Sequence, residues 1–265
     1  MTEVTCEIPE QDKPSARRRI SLADAPWWVV VVILMGIGVV YVMFTNQRYS
    51  DALKFVLPGI KITLQVTFAA YGLALIIGLI AGLMRVSKNP ILYGLATFYV
   101  EVVRGLPMLV ILLYAGYVIS PAIRDATNRV IHFSDLQEGI LGMAIGFGAY
   151  EAEVFRSGIE SIHRGQMEAA RSLGMNYMQA MRYVILPQAV RRILPPLGND
   201  FIAMLKDSSL VAVLALPDLL QQGRLFVSRT FRAFEGYNTV AVLYLAMTLV
   251  LSFVVRMIER RWSID

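Results

Sequence analysis

Apolar runs long enough to cross a lipid bilayer recur along most of this chain. A helix needs about 20 apolar residues to span a hydrocarbon core about 30 Å thick, and such runs cover 60–84, 92–119, 139–159 and 239–258. Of the 265 residues, 56% are hydrophobic and only 17% are charged, which excludes an ordinary soluble domain. Because a backbone in lipid must satisfy its own hydrogen bonds, the sequence predicts an all-α, polytopic membrane helical bundle.

Two less regular runs raise the expected number of transmembrane helices to about six. The first covers 27–44, and we interpret it as a retained helix because the polar segment 1–26 precedes it and no small-residue cleavage site follows it. The second covers 189–205. We therefore divide the chain into an N-terminal tail at 1–26, an extra helix with an outer loop at 27–54, and the main membrane domain at 55–265.

Basic residues set the expected orientation of the bundle. The net charge is +5, but Lys and Arg cluster beside apolar runs, which is typical of membrane topology rather than of a nucleic-acid partner. They are more numerous on the side that holds both termini and the polar loop 160–188. The positive-inside rule therefore predicts a multi-pass membrane protein with both termini and this loop in the cytoplasm.

Residues for catalysis, metal binding and nucleotide binding are not found in the usual patterns. Cys6 is the only cysteine, and His132 and His163 have no other ligand at metal-binding spacing. No G-x-x-x-x-G-K-[ST] phosphate-binding sequence occurs. We therefore expect no metal, no cofactor and no enzyme activity in this chain.

The loop between the fourth and fifth runs predicts two short helices joined by a tight turn. Residues 166–173 are good helix formers, and Gly174 is placed to end that helix. Asn176 can cap a second helix with a capping box to Gln179, and Pro187 is expected to stop it. Apolar side chains on the first helix could insert into a partner's groove; they are Met167, Ala170 and Leu173.

Three interpretations of this loop are open from the residues themselves. It could be a solvated cytoplasmic hairpin. It could be a DNA-binding helix-turn-helix, since A-x-x-L-G resembles its turn, although membrane spans on both sides argue against that. It could also be a docking surface for a separate protein.

The third interpretation agrees with a family resemblance. Glu168-Ala169-Ala170, then Gly174, then Leu186-Pro187 match the EAA loop of ABC-importer permeases, with Val184 where isoleucine is usual. The chain resembles the polar amino acid permeases (histidine, glutamine and arginine type) of that superfamily over about residues 55–263. The other stretches that carry the resemblance are 99–107 (YVEVVRGLP), 149–156 (AYEAEVFR), Gly165-Gln166, 186–189 (LPQA) and 206–210 (KDSSL). The usual member has five spans, so the first span here is extra.

The resemblance implies the permease fold of a type I ABC importer, a location in the bacterial inner (plasma) membrane, and a set of partners. These are a dimer of separate ATPase subunits that binds ATP and Mg²⁺, a second permease subunit that is the same or different, and an extracytoplasmic amino acid-binding protein. The loop would couple ATPase closure to alternating access. The coupling residues it implies are Gly165, Glu168, Ala169, Ala170, Arg171, Gly174, Leu186 and Pro187.

Charged residues inside the spans need a reason, because intramembrane charges are costly. Glu101 with Arg104 and Glu153 with Arg156 are three residues apart, so we interpret both as structural ion pairs along a helix. Three further polar residues are candidates for the substrate path, where a carboxylate could meet an amino acid's ammonium group. They are Glu151, Asn199 and Asp200, for each of which a water-exposed helix end is the alternative.

A different class of function is also considered. The chain could be an ion-gradient-driven secondary carrier, since carriers often have broken helices near the midplane, and residues 92–119 contain Gly105 and Pro107. However, no internal repeat is visible, and a carrier would leave the EAA-like loop without a task. A membrane enzyme has no nucleophile and base arrangement to support it.

Overall fold

The computed structural model describes residues 40–262, together with Gly36 and Gly38. The chain forms two compact units, one up to Thr45 and one from Asn46 onward. In the first unit, residues 40–45 are helical. The tail expected at 1–26 and most of the span expected at 27–44 lie outside the described residues.

The second unit is helical throughout its described part, as the sequence predicts. Short non-α turns link some of the helices: a π turn at Ala115–Ile119, another at Met181–Ile185 and a 3₁₀ turn at Ser208–Leu214. The helices are α1 (Gln47–Val56), α2 (Gly59–Val86), α3 (Pro90–Arg104), α4 (Met108–Tyr114), α5 (Ser120–Ala126), α6 (Asp135–Glu160), α7 (Arg164–Ser172), α8 (Tyr177–Ala180), α9 (Leu186–Asp207), α10 (Leu219–Thr230) and α11 (Ala233–Trp262).

Helices α2 and α6 form the centre of this unit because small residues let their backbones approach closely. A Cβ at Gly78 would overlap the Cβ of Glu151, and a Cβ at Gly82 would come within 2.8 Å of the Cβ of Phe155. Small residues at membrane helix interfaces permit this kind of close contact. The surrounding core contains Val66, Leu112, Met143, Phe147 and Met204.

The third predicted span is interrupted, as Gly105 and Pro107 indicate. Helix α3 ends at Arg104, and α4 begins after Pro107, which has no backbone N–H to donate. By length and hydropathy, three described helical segments can cross a membrane: 59–86, 108–126 and 233–260. Helices α6 and α9, with 26 and 22 residues, are long enough but carry more polar side chains.

The stretch expected to be an outer loop at 45–54 is largely helical. The Asn46 side chain caps α1 by accepting a hydrogen bond from the Arg48 N–H at 3.0 Å. Phe55 then packs against Phe226 of α10, with ring centres 5.7 Å apart. Helix α1 therefore belongs to the second unit, which starts at Asn46 rather than at residue 55.

Candidate functional site

The predicted hairpin between α6 and α9 is present and is capped by its own sequence. At the start of α7, the His163 ring accepts a hydrogen bond from the Gly165 N–H at 3.1 Å. At its end, Gly174 has a φ of +85°, a conformation that favours glycine. The Gly174 N–H then donates to Arg171 at 3.0 Å, and the Met175 N–H donates to Ala170 at 3.2 Å. These bonds make the tight turn that Gly174 predicts.

The second helix of the hairpin does not stop at Pro187, contrary to expectation. Asn176 and Gln179 form the expected capping box, with both hydrogen bonds at 2.9 Å. The chain then continues through the π turn at Met181–Ile185 directly into α9. A proline is tolerated in the first turn of a helix because its missing N–H is not needed there. Pro187 occupies that position in α9.

The hairpin's exposed face differs from the predicted one. Ala170 is buried, and Met167 is partly buried against the protein's own cluster around Ile185. Leu173 is 80% exposed and remains a candidate contact. The other large apolar side chains exposed in this loop are Tyr177, Met178, Tyr183 and Leu186, and Glu168, Ala169 and Arg171 are exposed as well.

Contacts from α9 hold the base of the hairpin. Arg192 donates to the Ser161 carbonyl at 2.5 Å. Gln188 donates to the side chain of Gln166 at 3.3 Å. A force on α7 is therefore transmitted to both α6 and α9, the two helices that flank it.

The charged residues near the end of α6 form one cluster instead of two separate pairs. Arg156 contacts Glu153, as expected from their spacing. Glu101 and Arg104, in contrast, do not pair with each other. Glu101 lies 3.8 Å from Arg85, and Arg104 lies 3.8 Å from Glu153. Because α3 packs against both α2 and α6, Glu101 and Arg104 each contact an oppositely charged side chain on one of those helices instead.

Glu151 is separate from this cluster and has no partner of its own. Its side chain is 0% exposed, and neither carboxylate oxygen has a hydrogen-bond partner among the described residues. It packs against Gly78 of α2. The alternative of a water-exposed helix end therefore does not describe Glu151 within this chain, and its place in the substrate path stays a prediction. A buried acid without a partner costs free energy, so it marks a candidate functional position.

Asp200 of α9 lies close enough to Glu151 for their charges to interact. Tyr71 of α2 lies near both carboxyls, donates its hydroxyl to the Leu197 carbonyl at 2.7 Å and stacks on Phe201, with ring centres 4.5 Å apart. Asn199 is exposed and points elsewhere on α9. The structure thus brings together two of the three predicted path residues and adds Tyr71, which the sequence reasoning missed.

Metal chemistry has no support in this region. Among the residues the structure describes, no group of three or more His, Cys, Asp and Glu side chains could hold a metal ion. What the arrangement around Glu151 offers is an acidic side chain in an apolar setting, whose ionised form a cationic group would stabilise.

Comparison with known proteins decides the family. The family described as "Binding-protein-dependent transport system inner membrane component" matches residues 74–264. This chain belongs to that family. It is 38% identical over 213 residues to the glutamine transport system permease protein GlnP of Escherichia coli (strain K12), covering 80% of this chain and 95% of that protein. It is 37% identical to the probable glutamine ABC transporter permease protein GlnM of Bacillus subtilis (strain 168), covering 80% and 94%.

Solved structures agree with this assignment. The chain superposes with a TM-score of 0.70 and 40% identity on a structure described as an amino acid ABC transporter with histidines, covering 78% of this chain and 94% of that one. A methionine ABC transporter, MetNI, matches at 24% identity with a TM-score of 0.65 and supports the fold alone. The protein is thus a multi-pass permease subunit of an ABC importer, a transport component rather than an enzyme. As such it works with ATPase and substrate-binding partners.

Arg85 and the exposed tyrosines of the hairpin were not predicted from the sequence, although the sequence contains a signal for Arg85. Arg85 is the first charged residue after the apolar run 60–84. It lies seven residues after Gly78 and three after Gly82, which is the same helix face as the glycines that pack on α6. The exposed tyrosines of the hairpin give no comparable signal, because their exposure depends on how the hairpin folds back.

Proposed function

We propose that this subunit forms part of a membrane path for polar amino acids and that Glu151 and Asp200 receive a cationic group of the substrate. The names of its relatives support an amino acid substrate, since they include glutamine permeases and an amino acid transporter with histidines. The observation that carries the proposal is the burial of Glu151 with both oxygens unpartnered.

Charge is the reason for this choice of ligand group. An unpaired buried carboxylate is unfavourable, and a second carboxyl at Asp200 adds repulsion. An α-ammonium group or a basic side chain would relieve both costs. Every amino acid carries the ammonium group, so the pair favours amino acids in general and cationic ones most.

Access to this position requires movement of helices. Gly78 of α2 covers Glu151 on one side, and the bond from Tyr71 to Leu197 ties α2 to α9. Separation of α9 from α2 would break that bond and open a route to both carboxyls. ATP-driven alternation between two states of the bundle supplies such a movement.

The hairpin is the proposed coupling element, facing the cytoplasm together with both termini. Its exposed face offers Glu168, Arg171 and Leu173 to a separate ATPase subunit. Two ATPases, this subunit, a second permease of the same or another kind, and an extracytoplasmic binding protein would make the complete importer. In that assembly, closure of the ATPases pushes on α7, and α6 and α9 rock with it.

Reconstitution of the chain with its ATPase and binding protein tests the proposal. ATP hydrolysis should rise when the binding protein carries its amino acid, and uptake should require ATP. Competition with arginine, glutamine and glutamate should rank arginine as the strongest competitor. ATP-independent uptake driven by an ion gradient would overturn the coupling mechanism, and equal competition by glutamate would overturn the role of the carboxyl pair.

A further inference from the structure

Arg85 has the least exposed charged group in the ionic cluster around Glu153. Its side chain is only 9% exposed, and it donates to Glu153 at 2.5 Å. Its Nε is buried without a hydrogen-bond partner, which costs free energy. The contacts of its two terminal nitrogens, with Glu153 and with Glu101, therefore hold the side chain in this position.

The ionic contacts of this cluster differ in length and exposure: those between α2 and α6 are short and shielded, and those made by α3 are long. The contact between α2 and α6, through Arg85 and Glu153, is short and largely shielded from water. The contacts made by α3 are both 3.8 Å long, and the side chain of Glu101 is 69% exposed. Exposed ion pairs contribute little, whereas short, shielded and charged hydrogen bonds are stronger and directional. The cluster thus joins α2 to α6 firmly and α3 to both of them weakly.

The interface between α2 and α6 is closely packed near Arg85. Gly78 and Gly82 bring the two backbones close, and the Cβ atoms of Glu151 and Phe155 lie against them. A charged hydrogen bond of fixed geometry adds a directional constraint to this packing. Arg85 lies next to these glycines along α2, at the end nearest to the hairpin.

Helix α6 leads directly from this bond into the hairpin. Arg156 contacts both Glu153 and Glu160, and Glu160 is the last residue of α6. Helix α7 starts at Arg164. A displacement of α7 therefore reaches the bond between Arg85 and Glu153 through one continuous helix.

We propose that Arg85 is a positioning residue for coupling, which locks α2 to the hairpin end of α6 so that both helices move as one body when the hairpin is displaced. This inference rests on the proposed docking of an ATPase at the hairpin.

The first test compares Arg85→Met with Lys88→Met in the complete reconstituted importer. Lys88 is an exposed cation three residues further on, and no carboxylate lies within 4.0 Å of it in the described chain. Arg85→Met should still bind the ATPase and hydrolyse ATP, but the ATP consumed per substrate transported should rise by about fivefold or more. Lys88→Met should keep the wild-type ratio, and Arg85→Lys should fall between them, since lysine keeps the charge without the forked geometry.

A wild-type ratio in Arg85→Met would overturn the inference, and so would an equal rise in Lys88→Met. Neither result would affect the proposed function, which is tested by ATP-dependent transport and by amino acid competition in the wild-type complex. The two failures are therefore distinguishable.

A second measurement needs no change at Arg85 and applies even if Arg85→Met does not assemble. Cys6 is the only native cysteine, so Cys6→Ser gives a background for spin labels at Lys88→Cys and Ser157→Cys, both exposed positions. The distance between the labels should stay constant between the nucleotide-free and ATP-bound complexes. A change of about one helical turn, ~5 Å, would show that α2 and α6 slide and would overturn the inference.

Discussion

Glu151→Gln keeps the shape of the side chain and removes its charge. If the carboxylate receives the substrate's cationic group, the variant loses a charged hydrogen bond worth ~1–3 kcal/mol. Because each 1.4 kcal/mol corresponds to a factor of ten, uptake of arginine should weaken by roughly 5- to 150-fold. Uptake of glutamine should weaken less, since its side chain is neutral and only the ammonium group is affected.

The assay is competition uptake with arginine, glutamine and glutamate, in the wild type and in the variant. Glu153→Gln is a matched control, two residues away on the same helix. An unchanged preference among the three amino acids in Glu151→Gln would remove Glu151 from the substrate path.

The two variants should also differ in stability, independently of transport. Glu151 has no partner to lose, so Glu151→Gln should leave the melting temperature of the substrate-free complex unchanged or raise it. Glu153→Gln weakens the acceptor of Arg85 and Arg156. It should cost about 1–3 kcal/mol, less than a fully buried pair because Glu153 is partly exposed. A lower melting temperature for Glu151→Gln than for Glu153→Gln would show that Glu151 has an unrecognised structural partner.

Three further changes test other parts of the proposal. Glu168→Lys should abolish uptake and co-purification of the ATPase while the protein still inserts, because the residue is exposed; normal uptake would refute docking at the hairpin. Reporters active only outside the membrane should be silent at both termini, as the basic residues predict, and activity at the C-terminal tag would reverse the topology. Removal of residues 1–44 should leave substrate-stimulated ATP hydrolysis intact, because the family match starts at residue 74 and 213 residues of this chain cover 95% of a relative; loss of stimulation in a correctly inserted complex would contradict this.

Local signals in the sequence were sufficient for the long apolar helices and for the turn of the hairpin. The apolar runs predict α2 and α11, and the pair Gly105 and Pro107 predicts the break after α3. Gly174 and Asn176 determine the turn of the hairpin, because a positive φ and a capping box depend on residues only a few positions apart. These features depend on backbone chemistry that neighbouring residues control.

Which side chains contact each other between different helices was determined only by the tertiary structure. The spacing of Glu101 and Arg104 permits a pair along the helix, yet the crossing of α3 over α2 and α6 gives each of them a partner elsewhere. Similarly, Met167 was expected to face a partner, but part of its side chain packs against the protein's own cluster around Ile185. Spacing along one helix shows which residues can meet, and the packing of neighbouring helices determines which of them do.

Glu151 illustrates both what the sequence identifies and what only the tertiary structure shows. The sequence identified it as a carboxylate without a local partner on an apolar helix, about 200° away from Glu153 around the helix axis. Only the structure shows that Gly78 of α2 buries it completely and that Asp200 of α9 lies close by. Those neighbours come from residues more than 40 positions away in the chain, and helix periodicity carries no information about contacts at that distance.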